Sequence, residues 1–166
     1  MAVAELIGAT VGVIILVLVA YILVGSTLST AQTVAEAQKD LTLMDESRLR
    51  TDIVISSATI ENGNILNFSV NNTGSETVSD FGHMDILMSN GTGNFEEYTY
   101  VKNFAGSPGT WTIVQFEPAA SSVHPGELDP GETMWCNVVY PGDTPVWFQV
   151  TTGNGVYASA YIPPTP

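Results

Sequence analysis

The chain has 166 residues, of which 17 are acidic and 4 basic, a net charge of −13 at pH 7 with histidine neutral. Such a balance repels nucleic acid and anionic lipid, so neither is an expected partner. One cysteine rules out an internal disulfide, and the length leaves room for one apolar helix and one modest globular domain.

In chain order, the first feature is Leu6–Val24, LIGATVGVIILVLVAYILV, a run without a charged residue. As a helix it would span roughly 28 Å, about the hydrocarbon thickness of a bilayer. It is apolar all round, so its home is lipid or copies of itself. Glu5 stands immediately before it. In the headgroup region this carboxylate suits a helix N-terminus. Buried among parallel helices it would need a partner, and pairing with an α-amino group would set the register between subunits. Gly8 and Gly12 form G-x-x-x-G, a spacing that lets helix backbones approach closely. No Lys or Arg precedes Lys39, so the basic n-region of a secretory signal is absent. Either a basic leader has been removed or the Lys39–Arg50 side lies inside, and the domain that follows argues for the outside.

Ser29–Arg50 lacks Gly and Pro and is rich in Ala, Gln, Glu, Leu and Met, all good helix formers. Val34, Ala37, Leu41 and Met44 recur at spacings of three and four, a narrow apolar seam. The pattern predicts one helix over about residues 3–48, with Gly25 as the place where it can loosen. A helix that is apolar first and amphipathic second suits a stem leaving the membrane under a head.

From Thr51 the pattern changes to short β-branched runs with alternation. Strands are predicted at Asp52–Ile60, Ile65–Asn71, His83–Met88, Glu96–Val101, Trp111–Phe116, Thr133–Tyr140, Val146–Thr151 and Val156–Ile162. Between them lie segments such as ENGN, NNTGSE, NGTGN and HPGELDPGE, with turn-forming residues where turns need them. Strands at regular spacing without a helical window indicate an antiparallel sandwich. The fold class is therefore α+β: a long N-terminal helix, residues 1–50, then an antiparallel Ig-like β-sandwich head, residues 51–166. In Ile65–Asn71 the alternation sends Leu66, Phe68 and Val70 to the core and Ile65, Asn67, Ser69 and Asn71 to solvent. The head carries 12 acids against one base, Lys102. Solubility in salty or crowded surroundings and a capacity for cations are both open as readings of that charge.

Three N-x-[ST] sequons begin at Asn67, Asn71 and Asn90, which favours an extracytoplasmic glycoprotein. Glu127, Asp129 and Glu132 in the ELDPGE turn are a calcium candidate, although their spacing is not that of an EF-hand and the Pro-Gly pair accounts for the turn. His83 and His124 sit at neither ligand nor triad spacing. Cys136, among Trp135, Val138 and Val139, reads as a core thiol. With no nucleotide loop, zinc pattern or nucleophile elbow, no catalytic residue and no cofactor is expected.

The apolar helix behind Glu5, the amphipathic stem and the β-rich head together resemble the archaeal type IV pilin-like superfamily, and within it archaellum components. The passages AEAQKD…ESRLRTDIVI, NILNFSVNNTGSETV and PVWFQVTTGNGVYASAYI are similar to heads of archaellins and of archaellum stator protein F. The resemblance implies a structural subunit of a surface filament for motility or adhesion, a homo-oligomer built through residues 1–50. Its chains would wait in the cell membrane before an ATP-driven machinery assembles them. Glu5 would then register subunits and residues 6–24 would form the filament core. The alternative is a membrane-anchored stator whose sandwich binds the surface layer, a reading that gains if Met1 is the initiator and no leader precedes it.

Overall fold

A computed structural model describes residues 2–61, 64–102, 106–118 and 123–163. They belong to two compact units, Met1–Met44 and Asp45–Pro166. The first consists of most of α1, Ala2–Arg50, and the second of the end of that helix from Asp45 onward with the whole head.

α1 runs through Gly25, the place where it could loosen, as one helix. The hydroxyls that follow bond back to carbonyls of the preceding turn. Thr27 Oγ1 donates to Leu23 O at 3.0 Å and Thr30 Oγ1 to Ser26 O at 2.9 Å. Within the apolar run, Thr10 Oγ1 donates to Leu6 O at 2.8 Å, so its hydroxyl presents no unpaired group to lipid. In the chain by itself every side chain from Val3 to Met44 is exposed.

All eight predicted strands are present: β1 Ile53–Glu61, β2 Ile65–Asn72, β3 Asp85–Ser89, β4 Phe95–Tyr100, β5 Thr110–Glu117, β6 Thr133–Val139, β7 Trp147–Thr151 and β8 Tyr157–Tyr161. His83 is not in a strand, because Phe81–His83 form a 3-10 turn ahead of β3. The strand order is β1-β2-β6-β5-β4-β3-β7-β8. It folds into two four-stranded layers, β1-β2-β6-β5 and β4-β3-β7-β8, which meet at β4 and β5. That junction departs from the antiparallel expectation. It is a parallel pair of only two rungs, Thr99↔Thr110 and Tyr100↔Trp111. The cause lies in the longer ladders on either side. β6 fixes the direction of β5 and β3 fixes that of β4, each antiparallel, and the corner takes the direction that results.

The core lies between the layers, where Leu66, Phe68, Val70, Met134 and Val138 meet Ile86, Met88, Phe148 and Val150. The rings of Phe68 and Phe148 are 5.0 Å apart across the interface. Leu66, Phe68 and Val70 point inward as predicted. The opposite face of β2 is less open than alternation implies, since Ser69 is only 1% exposed. Trp135 stands directly opposite it on β6, and on the β1 side Ser57 Oγ lies 2.7 Å from Ser69 Oγ. A large ring on one flank and a hydrogen-bonded hydroxyl on the other leave Ser69 no solvent.

Candidate anchoring and interaction surfaces

Among the described residues, α1 is the one helix long and apolar enough to cross a membrane. Glu5 occupies its first turn and is exposed, and a methyl group added at Gly8 or Gly12 would meet nothing within 4 Å.

Within the second unit, the helix end is capped by the head. Thr51 N donates to Ser47 O at 3.0 Å, and Arg50 O accepts from Ser75 N at 2.8 Å and from Glu76 N at 3.2 Å. The Arg50 carbonyl, which a helix C-terminus leaves unpaired, is thus satisfied by the segment after β2 rather than by a terminal glycine. Asn72, fully buried, organises that segment. Its Nδ2 donates to Glu76 O at 2.7 Å and to Leu128 O at 3.0 Å, while its Oδ1 accepts from Gly74 N at 3.0 Å. From the β7–β8 turn, Asn154 Nδ2 donates to Thr51 Oγ1 at 2.7 Å. Arg50 adds half-exposed ion pairs to Glu46 at 3.6 Å and Glu76 at 3.5 Å. The sequence marks NNTGSE as a turn; that it and the β7–β8 turn both close on the helix end is set by the tertiary fold.

The ELDPGE turn is a hydrogen-bonded knot. Asp129 Oδ2 accepts from Val123 N at 2.9 Å and His124 N at 2.8 Å, and its Oδ1 accepts from Thr77 Oγ1 at 3.0 Å and lies 2.7 Å from His124 Nδ1. Chiefly through that His124 contact, the Asp129 carboxyl is held down at about 2, and the same contact raises His124 above its ordinary value. Glu132 Oε2 caps the amide of Asp129 at 3.1 Å, and its Oε1 is buried with no hydrogen-bond partner among the described residues. Glu127 is half-buried and takes no part in these bonds. Asp129 thus spends its oxygens on the protein itself, and among the described residues no three His, Cys, Asp or Glu side chains are placed to hold a metal.

Of the sequon asparagines, Asn67 is half-buried with its Oδ1 enclosed, and Asn71 is half-buried on the same face. Asn90 closes its own turn, its Oδ1 accepting from Thr92 N at 3.1 Å and Thr92 Oγ1 at 2.6 Å. Cys136 is 1% exposed, and burial pushes its thiol well above the ordinary range. His83 pairs with Asp80 on the surface, Nδ1 to Oδ2 at 2.8 Å, and is raised by that bond.

The sequence reading does not single out the outer face of β4-β3-β7-β8. Strand register places Phe95 and Trp147 opposite Ser89 on its two sides, with Tyr161 opposite Trp147. Ser89 is too small to separate its neighbours, and the Phe95 and Trp147 rings meet edge to face at 6.1 Å. Phe95 and Tyr161 stay 61% and 80% exposed. Tyr157, one face-repeat along β8 from Ser159, is also exposed.

No family model matches the chain, and no curated protein matches it. Among solved structures, the chain is similar to the archaellum periplasmic stator protein FlaG from Sulfolobus acidocaldarius, with TM-score 0.51 and 20% identity over 66% of this chain and 97% of that one. It also aligns with a chain of the archaellum periplasmic stator protein complex FlaF and FlaG from Sulfolobus acidocaldarius, with TM-score 0.49 and 18% identity over 65% of this chain and 85% of that one. At this identity the first likeness is one of fold.

Proposed function

We propose that this chain is a membrane-anchored stator component of an archaellum, held by α1 in the cell membrane with its β head outside. The reading rests on one combination: a head with the fold of an archaellum periplasmic stator protein, on a chain whose N-terminal helix has membrane length. The likeness names a stator protein, which moves the weight from the filament subunit to the alternative. The chemistry agrees. The apolar run of α1 favours lipid, where its backbone groups pair within the helix and its hydroxyls bond to the preceding turn. The acidic head gains no attraction from anionic headgroups, so the apolar helix alone supplies the membrane affinity.

Fractionation of cells that make the protein tests the reading. A stator component stays in the membrane pellet after surface filaments are sheared off, and is absent from the purified filaments. Recovery of this chain as the main subunit of sheared filaments overturns the proposal and restores the filament reading, in which Glu5, Gly8 and Gly12 register neighbouring helices.

A further inference from the structure

We propose that the outer face of β4-β3-β7-β8 docks a protein segment carrying Arg or Lys beside apolar side chains. Phe95, Trp147 and Tyr161 form one rank across this face, and Tyr157 lies further along the same outer edge strand. Phe95, Tyr157 and Tyr161 are 61%, 62% and 80% exposed, and at roughly 200 Å² per aromatic residue they leave about 400 Å² open, half of the ~800 Å² that one partner gives to an interface of standard size. Rings clustered in this way are the usual centre of a binding surface. Charge selects the occupant. The ranks beside the aromatics present Glu97, opposite Leu87, and Asp85, opposite Thr151, both exposed. No Arg or Lys lies on any of the four strands. A guanidinium or ammonium group is attracted both to exposed ring faces and to these carboxylates. A second copy of this chain would bring its own −13 against the first, and an anionic lipid surface is disfavoured for the same reason. This face would bind the same chemistry whether or not the chain serves a stator.

The test uses the full chain in nanodiscs of zwitterionic lipid, titrated with a peptide of alternating Arg and Leu and with its Glu-for-Arg counterpart. Saturable binding of the Arg peptide alone is expected, with amide shifts mapped to β3, β4, β7 and β8. The Phe95→Ser/Tyr161→Ser double variant should bind about tenfold more weakly. Glu97→Gln, which leaves the rings in place, should bind about threefold more weakly, with the difference vanishing at high salt. Val114→Ser, at an exposed apolar position of the other layer, serves as the control and should bind like the wild type. The proposal is overturned if the wild type does not bind, or if the double variant binds equally well, since net charge alone would then explain the affinity. Tighter binding of a neutral β-glucan hexasaccharide, or self-association abolished by the double variant, overturns it in favour of a carbohydrate or a second copy.

Discussion

Asn154 and Thr51, far apart in sequence, are joined by a 2.7 Å hydrogen bond from Asn154 Nδ2 to Thr51 Oγ1. It ties the β7–β8 turn to the residue that follows α1. Asn154 is held in place by Thr152, whose Oγ1 donates to Asn154 Oδ1 at 2.6 Å. Replacing Asn154 with Ala removes both contacts at a half-buried position. The expected loss is about 1–2 kcal/mol of head stability, read as a fall in the midpoint of urea unfolding.

Gly74 is intolerant of any side chain for a reason of space rather than of backbone angle. A Cβ there would lie 2.5 Å from Arg50 O and 2.5 Å from Asp52 N, both backbone atoms. Neither can swing aside as a side chain would. Gly74→Ala is expected to cost about 3 kcal/mol by forcing the segment after β2 off the helix end. Thermal unfolding of the purified variant checks this, and an unchanged midpoint would refute the described approach.

The pH dependence of the head follows from His124 and Asp129. A raised histidine contributes stability that is complete below its ordinary value of 6.5 and fades as pH climbs through its folded value. His83, raised by Asp80, acts in the same direction. Asp129, lowered from 3.8 to about 2, contributes stability that is complete above 3.8 and is lost as pH drops toward 2. Stability from these groups is therefore greatest between the two ordinary values and declines on both sides. Unfolding midpoints across pH should show that plateau, and His124→Ala should remove part of the decline at the alkaline side.

The three sequons are not equivalent on the folded head. Asn67 keeps its amide oxygen enclosed, whereas Asn90 sits at a turn. If glycans are attached after folding, peptide mass spectrometry should find any sugar at Asn90, in its turn, before Asn67 and Asn71, which lie in β2 with strands paired on both sides. A fully occupied Asn67 would show attachment before the sheet closes.

Much of this architecture is legible in the sequence because each element carries its own punctuation. β2 alternates Leu66, Phe68 and Val70 with polar residues, and turn-forming residues bracket nearly every strand. The absence of Gly and Pro after Gly25 carries α1 onward to Arg50. What escapes a reading of the sequence is pairing. Nothing local to Tyr100 or Trp111 says that their strands run parallel, because β3 and β6 impose that from outside. The same holds for Ser69, whose burial comes from Trp135. Phe95, Trp147 and Tyr161 lie in three separate strands, and only register brings them into one rank. The role of Asn72 at the helix end was hidden for a similar reason, since its partners Glu76 and Leu128 arrive from two different loops.

Cys136 has a practical consequence. The sole sulfur of its kind in the chain, it sits at the centre of β6 between the layers, where reagents cannot follow. A thiol-specific dye should ignore the native molecule and react only when the sandwich opens, so the labelling rate becomes a clock for global unfolding. The wild-type chain thus carries its own stability probe, with no residue added.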